Sequence, residues 1–158
     1  MRIHISSAVG QGLTELAAFD SALAHLGVRD QNLIYLSSVI PLNAELVRGR
    51  VDFNNQFQGD RVYCVCADKR TDTRGSSVAA GIGWVTTKEE PAWGLFVEHT
   101  DHTEEEVKKH IQASLTSMVE YRKEHTWSDP QMEITSITCE SEPVCAISLA
   151  VYKREPWQ

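Results

Sequence analysis

Only two stretches of this 158-residue chain carry a helical apolar period. Everything around them is written in short, β-branched runs cut by glycine, proline and polar turns. The first stretch runs from Leu13 to Leu26, where Leu16, Phe19, Leu23 and Leu26 recur at three- and four-residue steps and Gly27 is placed to end the helix. The second begins at Thr103, with Glu106 three residues on as a capping box and acids at 104–106 suited to a helix N-terminus. Val107, Ile111, Leu115 and Met118 continue it as one apolar stripe. Two one-sided helices need a sheet to cover, and the rest of the chain has to supply it.

The strand candidates are Arg2–Val9, Asn32–Leu36, Arg61–Ala67, Ser77–Thr86, Trp93–His99, Glu133–Glu140 and Val144–Lys153. Gly10 and Gly12 mark a turn, Pro41 breaks the chain after Ser38, Val47–Gly59 reads as an irregular loop, and Lys69–Gly75 as a polar turn. The order β-α-β-β-β-β-α-β-β predicts an α/β or α+β domain with a mixed sheet, one domain over residues 1–158. Apolar residues at 42% and charged residues at 23% are enough for an ordinary core and argue against disorder.

Acids outnumber bases 22 to 15, a net charge of −7, with no basic run. That balance disfavours nucleic acid and anionic membrane surfaces as partners. The opening Met-Arg-Ile-His-Ile-Ser-Ser lacks the apolar core of a signal peptide, and no apolar run reaches the length of a membrane span. The expectation is a cytoplasmic protein with Cys64, Cys66, Cys139 and Cys145 as reduced thiols. Cys64 and Cys66 fall on one face of their strand. Neither the four cysteines nor the loop His99-Thr-Asp-His102 has the spacing of a standard metal site, so no metal is expected. Trp84, Trp93, Trp127 and Trp157 read as core or interface residues.

The segment with chemical content is Asn32-Leu-Ile-Tyr-Leu-Ser-Ser-Val-Ile-Pro41. A serine pair after an apolar run is by itself a strand end, and Ser6-Ser7 and Ser76-Ser77 are equal dipeptides. Its surroundings, however, resemble the self-cleavage site of the pyruvoyl-dependent arginine decarboxylases. Gly10-Gln-Gly-Leu-Thr-Glu-Leu-Ala-Ala-Phe-Asp20 is similar to that family's glycine turn and first helix. Gly94-Leu-Phe-Val-Glu98 resembles the strand carrying its acidic catalytic residue, and Val144-Cys-Ala-Ile-Ser-Leu-Ala150 its closing strand. The pieces occur in order over nearly the whole chain.

The resemblance implies cleavage between Ser37 and Ser38, giving a β-chain 1–37 and an α-chain 38–158. The Ser38 hydroxyl would attack the Ser37 carbonyl, β-elimination would free the first chain, and hydrolysis would leave a covalent pyruvoyl group and ammonia. That step needs a hydroxyl on a constrained turn. Asn32 is the residue the resemblance offers in support of the cleavage. The pyruvoyl ketone would form a Schiff base with the substrate α-amine and take up the electrons freed as carbon dioxide leaves. Glu98 would protonate the carbanion, with partial burial behind Leu95-Phe-Val97 raising its pKa. Asp20 would hold the guanidinium of arginine by two parallel hydrogen bonds, with Leu16, one turn earlier, against the substrate methylenes and Ser37 as a further substrate-binding residue.

The implied architecture is an αββα sandwich with mixed sheets, and the implied assembly a homotrimer or a hexamer of αβ units, with active sites between subunits. The implied product is agmatine. The sequence departs from the family pattern at Ala17, Arg29 and Leu42, where relatives often have Asn, Gly and a second proline. None of the three is a reacting group, and Arg29 bears on the shape of the substrate pocket. Two other readings remain open at this point: a pyruvoyl decarboxylase of another amino acid such as histidine, and an unprocessed, non-catalytic binding homologue.

Overall fold

The computed structural model of the chain describes residues 1–157. Both helices form where the periodicity predicts. α1 spans Glu15–Leu26; the Thr14 side chain caps it by accepting from Ala17 N, and Gly27 ends it at φ +80° with its N–H on Ala24 O. α2 spans Glu104–Glu120 behind a complete capping box: Thr103 Oγ1 accepts from Glu106 N, and Glu106 Oε2 accepts from Thr103 N.

The strands are β1 (Arg2–Gln11), β2 (Asn32–Tyr35), β3 (Val39–Ile40), β4 (Glu45–Arg48), β5 (Arg61–Thr71), β6 (Ser77–Thr86), β7 (Gly94–Asp101), β8 (Gln131–Thr138) and β9 (Val144–Glu155). They make two sheets rather than one. The five-stranded sheet runs β2-β5-β9-β1-β4 and is mixed, with β1/β4 and β2/β5 parallel. The four-stranded sheet runs β3-β7-β6-β8 and is antiparallel throughout. The fold is therefore α+β, with two helices and two sheets.

Three apolar clusters position these parts. Ala18, Ala22, Leu23 and Leu26 of α1 pack on Val62, Cys64, Ile147 and Leu149 of the five-stranded sheet. Val107, Ile111 and Leu115 of α2 pack on Ala79, Val85, Leu95 and Val97 of the other sheet. Ile3, Ile5, Val65 and Tyr152 meet Ile82, Trp84 and Phe96 in the space between the sheets. The strand alternation makes this possible, since Leu95 and Val97 face α2 while Phe96 faces the opposite sheet.

The structure departs from the sequence pattern in four places. Val47–Gly59 is not wholly irregular, because its first residues belong to β4 and pair in parallel with β1. The polar turn at Lys69–Gly75 starts later, since β5 runs to Thr71. There the backbone ladder with β9 carries polar side chains that an apolar pattern cannot reveal. Gly10 lies inside β1 rather than in a turn: a Cβ there would come within 2.2 Å of Ala18 O, so the residue lets α1 sit against the strand. That close approach selects the alanine face of α1 for burial and rotates Leu16 out of the apolar stripe, 69% exposed.

Gly10→Ala is expected to push α1 off β1 and to cost about 1–3 kcal/mol of stability. Urea unfolding checks this; an unchanged midpoint would remove the close-approach argument.

Candidate active site

β2 and β3 belong to different sheets, and Leu36-Ser37-Ser38 is the crossing between them. Both ends of the crossing are tied. Leu36 N–H donates to Cys64 O of β5 at 2.9 Å, and Phe96 N–H of β7 donates to Ser38 O at 2.8 Å. The Tyr152 hydroxyl of β9 donates to Val39 O at 2.8 Å, just beyond. Held this way, Ser38 takes φ +70°, in the left-handed region that non-glycine residues rarely occupy.

Its hydroxyl donates to Glu98 Oε2 at 2.8 Å. Ser38 and Glu98 line a cavity of about 250 Å³ with Phe96, Val97, His99, Ser114 and Met118. Glu98 and His99 also line a second cavity of about 350 Å³ with Cys66, Ala67, Asp68 and Thr100. Both open where β7 has run past the end of its short partner β3 and its edge is free. The site therefore has a strained serine, a carboxylate on its hydroxyl and an open volume beside both.

Electrostatics around it follow from burial. Burial first, and then the neighbouring His110, pulls His99 below the ordinary imidazole value; Glu98 opposes this. The Tyr152 phenol is pushed up by burial and by the Glu98 charge, so it stays a neutral donor. Burial also pushes the Cys64 and Cys145 thiols up to about 12, and holds Cys66 up as well. The shift favours the protonated thiol, which is the poorer nucleophile.

The residues named from the sequence are only partly brought together. Ser38 and Glu98 meet, and Ser37 is exposed at the crossing. Glu98 is exposed within the single chain, so the burial expected to hold its proton is not supplied by this chain alone. Asn32 opens β2, and its amide donates to Gly59 O at 2.6 Å, binding a neighbouring loop instead of Ser38. Asp20 and Leu16 lie on the exposed face of α1, where they line a separate cavity with Thr14, Ala17, Phe19 and Leu23. The expected loop His99–His102 is strand through Asp101: His99, bonded to Ser114 Oγ, and Asp101 both approach His110, while His102 faces Ser77 O. The sequence reading weighs His99 only as a metal ligand and Met118 only as part of a helix stripe, and it does not single out Ser114 or Tyr152; their place at this site escaped it. Only strand alternation next to Glu98 could have drawn attention to His99; nothing local marks the other three.

A family profile described as pyruvoyl-dependent arginine decarboxylase matches residues 2–156. The chain belongs to the pyruvoyl-dependent arginine decarboxylase family. A relative of that name from Thermococcus kodakarensis is 31% identical over 154 residues, covering 95% of this chain and 93% of the relative. One from Halobacterium salinarum is 31% identical over 156 residues, covering 96% and 93%. One from Thermococcus sibiricus is 33% identical over 148 residues, covering 92% and 90%.

Membership implies a covalently bound pyruvoyl group, and Ser38 fits as its origin. The residue is small, strained, bonded through its hydroxyl to a carboxylate, and open to the cavity.

The depressed His99 value also makes a stability prediction. The unfolded chain binds this proton more tightly than the folded one, so stability falls as the pH drops through about 6.5. In His99→Gln that slope is expected to flatten, which melting temperatures between pH 5 and 8 would register. Equal slopes in the two proteins would contradict it.

Proposed function

We propose that this chain is an arginine decarboxylase that makes agmatine with a pyruvoyl group formed from Ser38. The observation that carries this is the left-handed Ser38 with its hydroxyl 2.8 Å from Glu98. In self-cleavage, Glu98 takes the proton as Ser38 Oγ attacks the Ser37 carbonyl, and the amide nitrogen receives a proton as the ester forms. Loss of the Ser38 α-proton then expels the Ser37 carboxylate, and hydrolysis of the resulting enamine releases ammonia. Strain relief at φ +70° favours the attack.

Cleavage leaves the assembly intact. β1 lies between β9 and β4, and α1 packs on its sheet, so residues 1–37 stay built into the core. The Phe96–Ser38 hydrogen bond keeps the new terminus of 38–158 at the cavity.

The ketone supplies an electron sink for the loss of carbon dioxide. Glu98 lies beside that position and delivers a proton to the carbon. Asp20 binds the substrate guanidinium, and the exposed Leu16 covers its methylenes. These two residues line a different cavity from Ser38 in one chain, which supports a site completed by a second subunit, in a trimer or a hexamer of αβ units. The burial that Glu98 lacks would come from the same contact, and Asn32 would act in cleavage from that assembled state. We read the layers as the αββα sandwich of the pyruvoyl decarboxylases, one domain processed into 1–37 and 38–158. Among the described residues no helix is long and apolar enough to cross a membrane. Four free cysteines suit a cytoplasmic enzyme.

Intact mass under denaturing conditions is expected to give two polypeptides, the larger beginning with pyruvoyl at position 38. They should co-elute under native conditions. Ser38→Ala should give one full-length chain and no carbon dioxide release. A wild-type chain that stays whole on long incubation would mean a non-catalytic binding homologue. Asp20→Asn should lose its preference for arginine across an amino-acid panel that includes histidine; an unchanged preference would remove the guanidinium role. Glu98→Gln should slow self-cleavage on the intact-mass readout, and the fraction that does cleave should show kcat lowered by about 10²–10⁴-fold, the usual weight of a general acid.

A further inference from the structure

Decarboxylation of an amino acid consumes one proton per turnover, because the carbon that loses carbon dioxide takes up hydrogen. A carboxyl group that delivers that proton is left ionised and has to be recharged before the next cycle. Resting on the decarboxylase reading above, we propose that His99 recharges Glu98, drawing its proton from solvent through His110. His99 acts through Glu98, not on substrate, and is a positioning and proton-supplying residue.

The geometry singles out His99. Glu98 and His99 are the two residues common to both cavities at the site. Neighbours on β7, they face opposite sides of the strand, so the free edge of β7 is where their volumes join. A cavity of about 250 Å³ easily admits a water, whose liquid volume is about 30 Å³. His99 is half-buried, with Nε2 2.7 Å from Ser114 Oγ. Its other neighbour is the His110 ring, centroid to centroid 5.6 Å, tilted by 31°. His110 is exposed and holds Asp101 Oδ2 at 2.9 Å. A line of exchangeable groups thus leads from solvent at the Asp101–His110 pair, past His99 and Ser114, to the cavity holding Glu98.

The other titratable groups facing this space are committed elsewhere. Asp68 on β5 carries Arg70 Nε at 3.1 Å. The Cys66 thiol, also on β5, is held up by burial. Tyr152 of β9 gives its hydroxyl proton to Val39 O. On α2, Ser114 and Met118 do not titrate. Lys69 acts on Asp101 as a nearby positive charge. Because burial and His110 lower the His99 value, the protonated donor is lost as pH rises past a point below the ordinary imidazole range.

The test uses the self-cleaved enzyme, with wild-type cleavage and arginine turnover confirmed first. Their absence would overturn the decarboxylase reading and this inference with it. In His99→Gln, cleavage by intact mass and KM for arginine should be unchanged. Its kcat at about pH 5.5, below the ordinary imidazole value, should fall at least about tenfold, within the range of a lost proton-transfer group. Added imidazole should restore kcat in proportion to its concentration. The limb of the kcat–pH profile below the ordinary imidazole value should vanish in His99→Gln. In His110→Gln, kcat should fall because the path to solvent is cut, and the remaining limb should move to higher pH because the lowering charge is gone. A His99→Gln enzyme with full kcat and no buffer dependence would overturn the proposal. So would a loss that imidazole does not restore, a KM that rises in step with the loss, or a limb that stays put in His110→Gln.

Discussion

The tie of one short segment to two different sheets is what the candidate chemistry depends on. Leu36 belongs by hydrogen bonding to β5, and Ser38 belongs to β7. A single residue, Ser37, separates them, so the chain has to change sheets within one step. An L-residue at φ +70° is the local cost, of order 1–3 kcal/mol, and neighbouring structure has to impose it. The inter-sheet cluster around Phe96 and Tyr152 is that structure, because it fixes the separation of the two sheets at this edge. Loosening the cluster would let the crossing relax and would move the hydroxyl away from Glu98.

The same edge explains why the site is open. β3 is only two residues long and covers β7 at Gly94 and Leu95. From Phe96 onward the ladder on that side consists of the bond to Ser38, and beyond it β7 has no partner strand there among the described residues. An uncovered sheet edge is ordinarily a liability. In this chain it lets residues of both faces of β7, Glu98 toward the opposite sheet and His99 toward α2, share the same space.

The distribution of roles between the two sheets is equally physical. α1 is pressed onto β1 at Gly10 through small residues, so its larger outer side chains, Leu16 and Asp20, are left facing away from the core. Ser38 and Glu98 stand at the other sheet's edge. One copy of the chain presents a reactive edge and a recognition face on separate cavities, a division that an assembly of copies can rejoin.

Much of this was legible in the residues themselves. Helical period and capping placed α1 and α2, since both are local: the Thr103–Glu106 box needs no partner outside four residues. The β-branched runs located most strands, while the Ser38 and Glu98 pair that meets at 2.8 Å was reached through the family resemblance, because a serine pair or a strand-end glutamate alone carries no such signal. What the sequence could not state was partnership. That β2 and β3 enter different sheets, that Asp68–Thr71 stays in a strand, and that Leu16 turns outward are outcomes of backbone pairing and close packing between residues far apart in the chain. The φ of Ser38, the loop partner of Asn32 and the alignment of His99 with Ser114 and His110 are of the same kind. Local sequence determined which elements form, because their signals act over one or two turns. Tertiary structure decided which side chains meet, because that depends on the register and separation of whole sheets.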